Sequence, residues 1–208
     1  MTNSNFWDDF YKKKDESQQS WFQTYPEKSL NIIESLNLPK NSRIIDIGAG
    51  ESRLVDFLLE RGFESISLLD ISSESLEKTK QRLGTKSAKI NFIPIDITKF
   101  KAEEKFDFWH DRAAFHFLNQ PDEVEKYLQV ASSTLRVGGM MLISTFSSTG
   151  PEKCSGLNIT RYTEQTFEKT FEKYFKKIKC FEHTHTTPWE SKQDFIYCLF
   201  KKESSQDK

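Results

Sequence analysis

The chain has no apolar run approaching the roughly 20 residues that a membrane-spanning helix needs, and no basic start followed by an apolar segment. Neither a span nor a secretory leader is therefore expected. It also lacks a surplus of charge, with 30 Lys and Arg against 31 Asp and Glu in 208 residues. A dedicated nucleic-acid binder usually carries a basic excess, so neither nucleic acid nor a membrane is expected as a partner. Cysteine is scarce: Cys154, Cys180 and Cys198 are widely spaced and odd in number. That usage predicts free thiols in a reducing, cytoplasmic setting, with no metal-ligand spacing and so no metal. Internal repeats and low-complexity tracts are absent. What the chain has in quantity is phenylalanine, 18 in all. Most must be core, leaving some to line a pocket.

Two hundred and eight residues suit one domain with a substantial core. The first twenty are polar with aromatic punctuation at Phe6, Trp7, Phe10 and Tyr11, read as a short helix or arm. Leu30, Ile33 and Leu36 keep a helical period up to Pro39. From there strands and helices alternate. Strands are predicted at about 43–47, 65–70, 90–95, 106–109 and 140–146, with helices at about 51–61, 73–83, 121–135 and 163–173. Alternation of this kind predicts a parallel sheet with helices on both faces. Two late strands, at about 175–184 and 192–201, are separated by too short a loop for a crossover helix and should form an antiparallel hairpin. The expected division is an arm or cap helix at 1–29, one domain at 30–202 and a flexible tail at 203–208.

The first strand, Ile44-Ile45, runs into Asp46-Ile47-Gly48-Ala49-Gly50-Glu51-Ser52 and then into a helix. Glycines in such a turn let backbone amides approach a ligand where a side chain would block them. The helix start offers unpaired N–H groups. Asp70 ends the next apolar run and Asp96 the third. A carboxylate at a neighbouring strand tip suits a ribose diol. A dinucleotide fingerprint wants a third glycine where Arg53 stands, so that match is incomplete.

Asp46-x-Gly48-x-Gly50, an acid 24 residues further on at Asp70, Asp96 at the third strand, and Leu135-Arg136-Val137-Gly138-Gly139 before the fifth resemble the class I S-adenosylmethionine-dependent methyltransferases. The resemblance covers roughly residues 30–200. It implies an α/β, Rossmann-like sheet of seven strands in the order 3-2-1-4-5-7-6, the last antiparallel, and S-adenosylmethionine as cofactor. It also implies that Asp46, Gly48, Ala49 and Gly50 pass the methionine part, Asp70 holds the ribose, Asp96 faces the adenine amino group, and Ile71 and Ile97 flank the ring. Local alternatives are a helix N-cap for Asp70, a strand-end turn for Asp96 and a turn brace for Asp46.

Trp109-His110-Asp111-Arg112-Ala113-Ala114-Phe115-His116 is the densest polar and aromatic cluster, placed after the fourth strand where an acceptor would meet the methyl group. Its Asp-Arg-Ala-Ala portion is similar to the same segment of thiopurine-type small-molecule methyltransferases. Methyl transfer needs alignment, exclusion of water and loss of the acceptor's proton. His110 or His116 could take that proton, His110 also lying near the cofactor. Asp111 could orient a histidine and Arg112 bind an anionic group, or the two could simply brace the loop. Phe115, Cys154, Arg161 and Trp189 are candidates for the acceptor rim. Trp21, Phe22 and Tyr25 are placed to close it from the N-terminal side, Trp21 against the sulfonium. The expected activity is methylation of a small molecule at sulfur, nitrogen or oxygen; a protein substrate, such as a lysine side chain, is the alternative.

Overall fold

The computed structural model describes residues 4–204. Its seven-stranded sheet comprises β1 (Arg43–Ile47), β2 (Ser65–Asp70), β3 (Ile90–Pro94), β4 (Phe106–Arg112), β5 (Leu135–Phe146), β6 (Phe175–Thr186) and β7 (Lys192–Lys202). They lie in the order β3-β2-β1-β4-β5-β7-β6. Only β7 runs antiparallel to its neighbours β5 and β6. This is the Rossmann-like order expected from the sequence.

Period-two alternation decides which helices cover which face. Ile44, Ile66, Leu68, Phe108 and Leu142 point to one side, where α2 (Glu27–Ser35), α3 (Leu54–Glu60) and α4 (Ser73–Leu83) bury Leu30, Leu58 and Leu76. Ile45, Ile47, Trp109, Met141 and Ile143 point to the other, against Tyr127 and Leu128 of α5 (Pro121–Thr134) and Phe167 and Phe171 of α6 (Glu164–Phe171). The helix starts follow from local chemistry. Ser72 Oγ accepts from the Ser75 amide at 3.2 Å, and Thr163 caps α6 in the same way. Pro121 stands in the first turn of α5.

Several boundaries differ from expectation. Residues 51–53 belong to the glycine turn, so α3 begins only at Leu54, whose amide is met by Ser52 Oγ. The fourth strand continues to Arg112, because the ladder with Ile47 and Ser144 continues through its polar residues. The fifth begins at Leu135, before its apolar stretch. The last strand ends at Lys202, one residue beyond expectation; residues 205–208 of the expected tail fall outside the described part.

The cysteine expectation is corrected. Cys180 and Cys198 form a disulfide, and only Cys154 is free. The two sit directly opposite each other in the β6–β7 register, with Cα atoms 4.2 Å apart. Strand register brings them together, and spacing of 18 residues does not reveal it. No helix among the described residues is long and apolar enough to cross a membrane.

The N-terminal segment is a helix, α1 (Ser4–Lys13), laid against the carboxyl edge of the sheet. Asp8 fixes it there, accepting hydrogen bonds from Ser72 Oγ at 2.7 Å and the Glu74 amide at 3.1 Å. An acid at the start of α4 also meets the positive end of that helix.

Candidate active site

A cavity opens at the carboxyl ends of β1, β2, β3 and β4, where open α/β sheets bind ligands. Its floor is the glycine turn. Gly48 and Gly50 both take left-handed backbone, with φ of +60° and +50°. A Cβ on Gly48 would lie 2.3 Å from Ala114 Cβ, and one on Gly50 would lie 2.5 Å from the Tyr11 hydroxyl. Glycine is therefore required twice, for dihedral and for space. Opposite Gly48, Ala113 is itself left-handed at φ +66°, a conformation costly for a residue with a Cβ. Gly48→Ala is expected to destabilise the fold by about 2–4 kcal/mol, from left-handed strain plus overlap with Ala114; urea unfolding measures it.

Asp70 is buried at the tip of β2. Its Oδ2 accepts from the Gly50 amide and its Oδ1 from the Ser72 amide, both at 2.8 Å. Burial pushes its pKa up to about 6, against the lowering effect of these two bonds. Ile71, Asp96 and Ile97 line the cavity beside it. Asp96 also caps the short turn after β3, accepting from the Thr98 amide and hydroxyl. Thus Asp70 and Asp96 both brace backbone and face the cavity.

Asp46 and His110 are register partners on β1 and β4. His110 Nδ1 is 2.6 Å from Asp46 Oδ1, and His110 Nε2 is 2.8 Å from Ser29 Oγ on α2. The three form a buried hydrogen-bonded chain along one cavity wall. Asp46 Oδ2 is buried there with no partner among the described residues, an acceptor suited to an ammonium group.

Asp111 points to the opposite side of the sheet. It accepts from Tyr127 Oη at 2.8 Å and from the Phe115 and Ala114 amides at 3.1 and 3.2 Å. Burial raises its pKa to about 6, opposed by these bonds. It braces the turn after β4 and does not orient His110, although it lines the cavity with Phe115. Arg112 lines the cavity too, and has no acid partner among the described residues: Nε donates to Tyr197 Oη at 3.1 Å and Nη1 to the Trp21 carbonyl at 2.7 Å.

Several expected residues lie elsewhere. His116 is sealed between Phe117 and Phe146, both ring nitrogens unpartnered, and burial lowers its pKa to about 3. It is a neutral packing residue outside the cavity. Cys154 is buried in the core beneath the loop after β5, its pKa pushed up by burial to about 12. Arg161 is tied to the Gly150 carbonyl and Glu152. Trp189 is 55% exposed and Tyr25, which packs edge-on against Phe57, is 46% exposed. Gly50 lies behind the lining, its amide turned to Asp70. Among the described residues no group of three or more His, Cys, Asp or Glu is arranged to hold a metal.

The N-terminal segment supplies residues that sequence reasoning did not assign to the site. Trp7, Tyr11 and Gln19 line the cavity beside the expected Trp21 and Phe22, and Ser29 and Glu51 join them. The Trp7 ring meets Trp21 and Phe117 edge-on at 6.3 and 5.1 Å, closing an aromatic cover. Tyr11 is buried over the glycine turn, its pKa raised by burial and by Asp70 and Glu51. The spacing of Trp7 and Tyr11 one helical turn apart is the signal that could have marked them.

A family model described as a methyltransferase domain matches residues 38–203. The chain belongs to the S-adenosylmethionine-dependent methyltransferases. By sequence it is similar to the eEF1A lysine and N-terminal methyltransferase of Mus musculus, 24% identical over 67% of this chain and 21% of that protein. It is also similar to malonyl-[acyl-carrier protein] O-methyltransferase 2 of Ilyobacter polytropus, 32% identical over 50% of this chain and 39% of that one. The chain thus spans about a fifth to two fifths of these relatives' lengths. In structure, the N-methyltransferase NodS of Bradyrhizobium japonicum, bound to S-adenosylhomocysteine, superposes with a TM-score of 0.73 at 15% identity, over 95% of this chain and 98% of that one. The 1,6-didemethyltoxoflavin N1-methyltransferase of Burkholderia thailandensis gives 0.68 at 20% identity, over 97% and 84%. These likenesses concern the fold.

The residues present suit the family's cofactor. Asp46 offers an unpartnered buried carboxylate oxygen, the two glycines leave a floor that a Cβ would fill, and Asp70 presents an oriented buried carboxylate.

Proposed function

We propose that this methyltransferase acts on a small-molecule acceptor at sulfur, nitrogen or oxygen. The observation that carries the reading is the aromatic wall: Trp7, Tyr11, Trp21 and Phe22 line the N-terminal side of the cavity, an apolar flank suited to a small organic acceptor. In this reading Asp46 takes the cofactor's ammonium, Asp70 its ribose and Asp96 the adenine edge, with Ile71 and Ile97 against the ring. S-adenosylmethionine supplies a methyl group on a sulfonium. The chain's own task is to position the acceptor, exclude water and remove a proton.

The chain Ser29–His110–Asp46 is suited to that last task. An ionised Asp46 only accepts, so His110 carries its proton on Nδ1 and leaves Nε2 to accept from Ser29 Oγ. Ser29 Oγ can then take the acceptor's proton as its own passes to Nε2, and the imidazolium formed is held by Asp46. The test is incubation with methyl-labelled S-adenosylmethionine and a cell extract, followed by separation by size. Label in the metabolite fraction is the expected result. Label in protein alone would replace this reading with protein methylation.

A further inference from the structure

Among the described residues Arg112 is a cation without a counter-ion. Its side chain leaves β4 on the cavity side, lies over the Phe195 ring at 4.8 Å, and is clamped by Tyr197 Oη on Nε and the Trp21 carbonyl on Nη1. Both partners are neutral oxygens. Its third nitrogen, Nη2, is buried with no partner. The titratable groups nearest it bring no negative charge. His116 and His185 are held neutral by burial and by Arg112 itself, with pKa values near 3 and 4, and the Cys154 thiol is far from ionising. Arg112 as a whole is half-buried, but its Nη2 is sealed from solvent, and a donor of a charged group placed there forfeits its hydration unless it is paired. A guanidinium rigidly held, partly satisfied and unpaired at a ligand cavity is short of one anion.

We propose that the methyl acceptor carries a carboxylate and that Arg112 receives it. The inference rests on the small-molecule reading above and narrows it to organic acids. The geometry favours a carboxylate over a phosphate. One nitrogen has no partner, and the cavity walls include the rings of Trp21, Phe22 and Phe117, which suit an apolar body with a single compact charge. The hydrogen-bond partners of Arg112 include no second Arg or Lys side chain to match a doubly charged phosphate. The Trp21 carbonyl has the character of a placeholder. It belongs to the covering segment and gives Nη1 a neutral oxygen where an anionic one would bind more strongly. Lifting that segment to admit the acceptor would free Nη1 beside Nη2, the paired edge that a carboxylate engages.

The experiment fractionates a metabolite extract by anion exchange before reaction, then treats each pool with the full chain and labelled S-adenosylmethionine. The expected result is incorporation into the retained pool, insensitive to prior phosphatase treatment. Arg112→Gln should lower it by about tenfold or more, the loss of a charge-assisted pair, with Arg112→Lys intermediate. Calorimetric affinity of both variants for S-adenosylmethionine should stay at the wild-type level. Incorporation confined to the unretained pool, sensitivity to phosphatase or full activity of Arg112→Gln would overturn the carboxylate while leaving a small-molecule acceptor standing. No incorporation into the retained pool counts against it equally. A variant that loses cofactor binding along with turnover would make Arg112 a brace and not a receptor. Label found in protein alone would remove the underlying reading itself.

Discussion

Replacing Asp70 with alanine is expected to weaken S-adenosylmethionine binding by about 10- to 100-fold, the roughly 1–3 kcal/mol that hydrogen bonds to a charged group contribute. The carboxylate is held by the Gly50 and Ser72 amides, so its remaining lone pairs are fixed toward the cavity before any ligand arrives. Calorimetry on the folded variant measures the loss, and unchanged affinity would remove the ribose assignment. The pH dependence gives an independent check. With a pKa of about 6, Asp70 gains a proton as pH falls through that value and gives up accepting capacity. Cofactor affinity should therefore fall on going from pH 7.5 to pH 5, and Asp70→Asn should flatten the profile. The unliganded protein should show the opposite sign for this group. Its folded pKa lies above the unfolded value near 3.9, so its contribution to stability is largest below that unfolded pKa and is lost as pH rises through about 6.

The meeting of the three strand tips at the candidate site was legible because its signals are local. Apolar runs ending in Asp46, Asp70 and Asp96 mark strand tips from neighbouring residues alone, and the parallel order of β1, β2 and β3 then brings those tips together. The acceptor half depends on contacts distant in sequence. The fourth strand looked finished at Trp109 because three polar residues follow, yet each is held from afar: His110 by Ser29, Asp111 by Tyr127, and two of the three Arg112 nitrogens by Tyr197 and Trp21. The Trp7 and Tyr11 part of the aromatic cover is held over the site by long-range ties between α1 and α4, Asp8 accepting from Ser72 and Glu74 and Lys78 donating to the Tyr11 carbonyl, which nothing in the local pattern announces. Trp189 does follow a strand of the correct direction, but at the far end of the sheet, beyond reach of the cavity. Arg161, read as a rim residue, is consumed by Glu152 nine residues earlier.

His110→Gln is expected to lower the rate of methyl transfer in a single turnover by about 10²- to 10⁴-fold, the contribution of a positioned general base. The same cavity is the proposed cofactor site, so the discriminating comparison is with affinity. Glutamine can still hydrogen-bond to Asp46 or Ser29 but cannot carry away a proton, so S-adenosylmethionine binding should change far less than the rate. Ser29→Ala should follow His110→Gln in direction, because it removes the hydroxyl through which Nε2 meets the acceptor. Asp46→Asn should do so for another reason. An amide N–H facing Nδ1 favours the tautomer with its proton on Nε2, which cannot then accept from Ser29. Because Asp46 Oδ2 is also the assigned ammonium partner, this variant should lose cofactor affinity as well, whereas the other two should not. Equal losses of rate and affinity in all three would mean that the chain only braces the floor of the cofactor site. A loss of rate alone in His110→Gln and Ser29→Ala would identify it as the route by which the acceptor's proton leaves.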